Sequence, residues 1–156
     1  MIKLIALVDN CFGIAKNNEI PWRFPEDLRF FRENTINNVV VMGRKTFFSI
    51  PNAPLPQRIN CVLSRSGHKN NWQSKDVQVF SSGEELLATH KNFWVIGGAE
   101  TYNYFLDNRL VDMALITQVH HDYNADKFFN AALLAEFSPT VLENNERYSV
   151  CKYERT

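Results

Sequence analysis

Cysteine is scarce and scattered: three residues in 156, at positions 11, 61 and 151. No two form a CxxC pair or stand beside histidine at metal-ligand spacing. This argues against a disulfide framework or a zinc site and predicts reduced thiols in a cytoplasmic protein. Charge of neither sign is in surplus, since 17 Lys plus Arg balance 17 Asp plus Glu. The polybasic surface that nucleic-acid binding needs is therefore missing, although a few placed cations can still hold a phosphate or carboxylate. Long apolar runs are lacking too: Leu4-Ile5-Ala6-Leu7-Val8 meets Asp9 at once, and nothing approaches the length of a membrane span. Glycine is sparse, six in all, and none of it forms the GxGxxG loop of Rossmann dinucleotide-binding proteins. There is no repeat, low-complexity tract or Gly/Ser linker. These absences predict one soluble domain over 1–156, with 45% hydrophobic residues, large enough to bury a core unaided.

What is present alternates. Ile2 to Val8, Val39 to Met42, Ile59 to Leu63, Val77 to Phe80, Phe93 to Ile96 and Leu110 to Val119 read as strands. Helical segments lie between them: Pro25 to Thr35, Lys45 to Ser49, Gly83 to His90 and Ala99 to Leu106. Ser82 and Glu85 have capping-box spacing at the start of the third. Thr140 to Glu143 and Tyr148 to Tyr153, around Asn144-Asn145, predict a final hairpin. The fold class is thus α/β: a mostly parallel central sheet with flanking helices and an antiparallel C-terminal hairpin. Ligands of such sheets bind beyond the carboxyl ends of the strands, so the residues after each strand matter most.

On the helix opened by Pro25, Asp27 shares an apolar stripe with Leu28, Phe31 and Thr35, and Phe30 flanks it on the other side. Arg29, Arg32, Glu33 and Glu26 collect on the opposite face. An acid in a first helical turn often does no more than complement the helix dipole. Set between two phenylalanines, a buried carboxylate needs a partner, and a flat ring with adjacent N–H donors supplies one. Phe31, Leu28 and Ile50 are candidates for the enclosing walls, and Trp22 brings a large ring and an N–H donor to the same mouth.

Three strand ends carry anion-binding chemistry. Gly43-Arg44-Lys45-Thr46 and Ser64-Arg65 combine cations with hydroxyls, and Ile96-Gly97-Gly98-Ala99 permits close backbone approach ahead of a helix. Two basic strand ends suit a ligand with separated phosphates, such as NADPH. Arg58, in the stiff loop Pro54-Leu55-Pro56-Gln57, is suited to a bidentate pair with a carboxylate. Each motif alone is equally consistent with a solvated basic turn or a tight strand-to-helix turn.

Taken in order, these residues resemble dihydrofolate reductases. The most specific portion is Pro21-Trp22, Asp27, Phe31 and Thr35, a P-W-x4-D-x3-F-x3-T pattern. Val41-Met42-Gly43-Arg44-Lys45-Thr46-Phe47, Leu55-Pro56 with Arg58, Leu63-Ser64-Arg65, and Val95-Ile96-Gly97-Gly98 with Tyr102 follow in register. The resemblance implies NADPH-dependent reduction of 7,8-dihydrofolate, with hydride added at pterin C6 and a water-delivered proton at N5. It implies that Asp27 binds the pterin 2-amino group and N3, supported by Thr117. Ile5, Leu28, Phe31, Ile50, Leu55 and Ile96 would enclose the rings, and Arg58 would hold the glutamate α-carboxylate. Leu7, Ile14 and Ala15 would lie near the nicotinamide, Tyr102 beside the reacting rings, and Trp22 at the catalytic mouth. Arg44, Ser64 and Arg65 would correspond to the 2′-phosphate region and Lys45, Thr46, Gly97 and Gly98 would approach the pyrophosphate, with Gly43, Ile96, Ala99 and Tyr102 also among the cofactor-binding residues. Diaminopyrimidine or pteridine antifolates follow as inhibitors, with a monomer as the working form and no metal, nucleic acid or membrane partner.

Three positions depart from the family pattern. Ala15 replaces the second glycine of a G-I-G-like turn, where a positive φ would strain an alanine. Phe129 replaces a proline in Asp126-Lys127-Phe128-Phe129, and Glu100 follows the glycine pair where some relatives place a cation. They bear on the loop over the site and on the cofactor phosphate more than on the reaction. A pyrimidine-reductase domain and a non-catalytic nucleotide-binding module share the phosphate handles, but neither requires Asp27, Phe31 and Arg58 together.

Overall fold

The computed structural model describes residues 1–17, 25–66 and 76–156. Its elements run β1 (Ile2–Val8), β2 (Gly13–Ala15), α1 (Pro25–Thr35), β3 (Val39–Gly43), α2 (Arg44–Ser49), β4 (Ile59–Leu63) and β5 (Val77–Phe80). There follow α3 (Gly83–Thr89), β6 (Phe93–Gly97), α4 (Ala99–Asp107), β7 (Met113–Val119), β8 (Lys127–Phe128), a 3-10 turn (Ala131–Leu134), β9 (Phe137–Asn144) and β10 (Tyr148–Arg155). Eight strands form one sheet in the order β5-β4-β3-β6-β1-β7-β10-β9, and β2 pairs with β8 in a small second sheet. The first six are parallel; β10 runs antiparallel to both β7 and β9.

Alternation along the strands sorts the core into two layers. Leu4, Val41, Val95 and Ile116 pack on one face with Leu86 of α3 and Phe105 of α4. Ile5, Val40, Met42, Trp94 and Leu115 pack on the other with Phe47 of α2, and Phe30 and Phe31 of α1 lie against them. The near-continuous apolar strands are the consequence, because a parallel sheet is covered on both sides. β6 lies between β3 and β1, so the carboxyl ends of these three strands gather at one edge.

The boundaries differ from the sequence expectation in instructive ways. β7 starts at Met113 rather than Leu110, because Val111, fully buried, turns its carbonyl to the Arg155 guanidinium. The hairpin strands extend to Phe137–Asn144 and Tyr148–Arg155, and Pro139 is tolerated because β9 is an edge strand. α2 starts at Arg44 and α3 ends at Thr89. The Ser82 cap forms as its spacing predicts, its hydroxyl accepting from the Glu85 N–H at 3.1 Å. The pair β2–β8 has no counterpart in the sequence reading.

Candidate active site

Asp27 is partly buried in the first turn of α1. Burial pushes its carboxyl up to about 6, and a hydrogen bond from Thr117 opposes that shift. Thr117 is buried in β7, opposite Leu7 of β1 and Val150 of β10. A cleft of about 430 Å³ between α1 and the C-terminal hairpin reaches both residues; Phe30, Leu142, Tyr148 and Val150 wall it together with the charged Glu26, Arg29, Glu33 and Glu143. Asp27 is therefore a carboxylate with one hydrogen-bonding side chain among the described residues and access for a ligand or solvent.

The structure brings most of the predicted ring pocket together. Ile5, Phe31, Ile50, Leu55 and Ile96 belong to one apolar cluster on the α1 side of the sheet. Leu28 does not; it is 57% exposed, one turn position away from the wall. Arg58 lies 5.9 Å from the Phe31 ring, donates through Nη1 to the Thr35 hydroxyl at 3.0 Å, and donates through Nε to the Pro56 carbonyl at 2.9 Å. Thr35 in turn donates to the Phe31 carbonyl. The guanidinium is so fixed beside the apolar wall, with its Nη2 group not used by these contacts. Partial burial and the nearby Arg32 lower its pKa from the usual arginine range.

Tyr102 is buried in α4, with its hydroxyl 2.8 Å from the carbonyls of both Ile5 and Ile96. Burial and the Asp27 charge hold that phenol well above its usual pKa. Its oxygen is thus committed to tying two walls of the pocket together and is not poised as an acid.

The glycine-lined edge lies between β3 and β6. Gly97 has φ of 136°, which an L side chain rarely adopts, and a Cβ on Gly98 would stand 3.1 Å from Thr46 Oγ1. A Cβ on Gly43 would stand 2.9 Å from Thr101 Oγ1. Side chains there would fill a cradle ringed by two hydroxyls, and Ala99 opens α4 directly beyond it. Arg44 and Lys45 are exposed, Ser64 is buried with its hydroxyl 3.0 Å from that of Ser66, and Arg65 is exposed. The remaining predicted residues spread out. Leu7 packs against Val119 in a small separate cluster, and Ile14 joins the core on the α4 side. Pro21 and Trp22 lie outside the described residues.

One contributor carried no local signal. Asn60, buried in β4, accepts from the Leu55 N–H and donates to the Leu55 and Arg58 carbonyls, holding the loop that carries both residues. Asp126 donates its N–H to the Ala15 carbonyl and accepts from the Asn17 N–H at 3.0 Å. Ala15 itself has no positive φ; Phe12 and Asn17 take the left-handed conformations instead. Phe129 is buried with its ring 5.5 Å from Tyr102 and 6.2 Å from Phe12, which ties the loop to the pocket wall. Glu100 forms an ion pair with Arg65 at 2.8 Å.

Fold and site together define a class of α/β protein with one raised-pKa carboxylate on the helix that packs its phenylalanines against the sheet, and a glycine-lined cradle at the strand ends. A family model described as dihydrofolate reductase matches residues 1–155. A dihydrofolate reductase from Buchnera aphidicola subsp. Schizaphis graminum is 34% identical, over 96% of this chain and 95% of its own. One from Haemophilus influenzae is 37% identical, over 74% of this chain and 70% of its own. A solved dihydrofolate reductase from Enterococcus faecalis, complexed with NADP(H) and RAB-propyl, superposes with a TM-score of 0.81 at 28% identity, covering 100% of this chain and 96% of that one. The chain belongs to the dihydrofolate reductase family.

Proposed function

We propose the following roles in the reaction of this family, the NADPH-dependent reduction of 7,8-dihydrofolate to tetrahydrofolate. The Asp27 carboxylate beside an apolar wall carries the reading. It receives the pterin N3–H and 2-amino hydrogens as two parallel bonds, with Thr117 steadying the side chain. Ile5, Phe31, Ile50, Leu55 and Ile96 exclude water and hold the ring plane, and exposed Leu28 closes on the ligand at the mouth. Arg58 offers Nη2 to the glutamate carboxylate, pre-oriented by Thr35 and Pro56. The cradle of Gly43, Thr46, Gly97, Gly98 and Ala99, flanked by Arg44, Lys45, Ser64 and Arg65, fits a phosphorylated dinucleotide. NADPH supplies the hydride that pterin C6 accepts. Tyr102 fixes Ile5 against Ile96, so that two ring systems meet at a set distance, and positioning of this kind contributes much of the acceleration. Leu7, Ile14 and Ala15 border the nicotinamide side, with the Ala15 carbonyl held by the Asp126 N–H. Asp27 sits at the far edge of the pterin from N5, so it orients and polarises, and water brings the N5 proton.

Scarce, unpaired cysteines and the absence, among the described residues, of a helix able to cross a membrane fit a cytoplasmic chain. The working unit is one domain over 1–156, acting as a monomer and blocked by diaminopyrimidine or pteridine antifolates. The test follows NADPH absorbance with dihydrofolate. Asp27→Asn is expected to cut turnover by about a hundredfold or more while NADPH affinity stays within a few-fold. Equal loss of both in a folded variant overturns the assignment.

A further inference from the structure

Of the three cations near the glycine-lined cradle, one is already engaged. Arg44 rests against the Phe48 ring at 5.8 Å, and among the described residues neither Arg44 nor Lys45 has a carboxylate within ion-pair distance. Arg65, just past the end of β4, donates through Nη2 to Glu100 Oε1 at 2.8 Å. Both side chains are almost wholly in solvent, at 93% and 87% exposure. An ion pair that open adds little to folding. It does, however, place an anion on the guanidinium that a cofactor phosphate would use. Glu100 is well held for this, in the first turn of α4, where the helix dipole favours negative charge.

We propose that Glu100 is a specificity-determining residue: its carboxylate occupies Arg65 as an internal anion, so a 2′-phosphate binds only by displacing it. The inference rests on the reading that Arg65 faces the adenosine 2′-phosphate. Discrimination between cofactors with and without that phosphate is then weaker than the cations alone would give. Glu100 also stands two residues beyond Gly98, so its charge opposes the pyrophosphate as well; that part is common to both cofactors and leaves the discrimination unchanged.

The test is calorimetric binding of 2′,5′-ADP and 5′-AMP to the wild type, Glu100→Gln, Arg65→Gln and the double variant, at low and high salt. Glu100→Gln is expected to tighten 2′,5′-ADP by about 3- to 10-fold and 5′-AMP by less than about twofold. The gain should disappear in the Arg65→Gln background and fade in about 0.5 M salt, where exposed charges are screened. An unchanged 2′,5′-ADP affinity, an equal gain for both ligands, or a gain that survives loss of Arg65 overturns the proposal. If Arg65→Gln does not weaken 2′,5′-ADP, the placement of Arg65 fails and the proposal with it. NADPH oxidation with dihydrofolate, measured on the same wild-type preparation, judges the family reaction separately.

Discussion

Two aspartates sit eighteen residues apart, one at each end of the stretch that leads from β1 into α1, and they are buried for opposite reasons. Asp9 is wholly inaccessible, yet its carboxylate accepts from three backbone amides: Cys11 at 2.9 Å, Gly13 at 2.7 Å and Tyr123 at 3.2 Å. Asp27 is less buried and, among the described residues, has one hydroxyl, from Thr117. The first is a structural anion whose acceptor capacity is consumed by the fold. The second keeps capacity in reserve and is less stable for it, which marks a group waiting for a ligand. Depth of burial alone would rank the two the wrong way round.

The largest effect should come from removing the consumed carboxylate. Asp9→Ala leaves three amides without their acceptor, where a Gly13 side chain could not compensate because its Cβ would meet the Ala125 Cβ. A loss of about 3 kcal/mol in urea denaturation is expected. Asp9→Asn, which keeps an oxygen for Cys11 and Gly13 but loses the one facing Tyr123, should lose less. Near-neutral behaviour of both variants would show that the clamp contributes nothing, and the contrast with Asp27 would fall.

Asp27 should respond in the opposite direction. Its carboxyl titrates at about 6 in the folded chain, against an ordinary value of 3.8. Between those values the folded state holds a proton that the unfolded state has released, so stability falls as pH rises through that interval. Above it the full penalty persists. Asp27→Asn should therefore raise stability at neutral pH by about 2 kcal/mol, with the gain vanishing below about pH 4. Denaturation midpoints of both proteins across pH check this. A gain that is constant with pH would mean that packing, not ionisation, is responsible.

The contrast also explains what could be read in advance. Asp27 stood out because its helix imposes a periodic pattern, and a charge inside an apolar stripe violates that pattern locally. The strand ends stood out for the same reason, since Gly43, Gly97 and Gly98 punctuate apolar runs. Asp9 and Asn60 broke no periodic pattern: their partners are backbone amides and carbonyls within five residues, which no side-chain motif marks, and the fold adds only Tyr123, 114 residues from Asp9. The pairing of β2 with β8 is likewise a meeting of two short segments with no shared motif. Leu28 shows the converse limit. A helical wheel says which face a residue shares but not what covers that face, and Leu28 is left 57% exposed.

The finest test weakens the partner that Asp27 has among the described residues. Thr117 is buried at 3% exposure, and its hydroxyl holds the Asp27 carboxyl below where desolvation alone would put it. Thr117→Val keeps the shape and removes the donor. The Asp27 titration should move upward, read by carboxyl-carbon NMR of the ligand-free protein, and neutral-pH stability should fall slightly because the charged form has lost its stabilising bond. Asp27→Asn should cancel that fall, since a neutral amide at position 27 leaves no carboxylate for the hydroxyl to stabilise. A downward or absent shift would mean that some other group sets the Asp27 proton, and the carboxylate held in reserve would no longer be explained by Thr117.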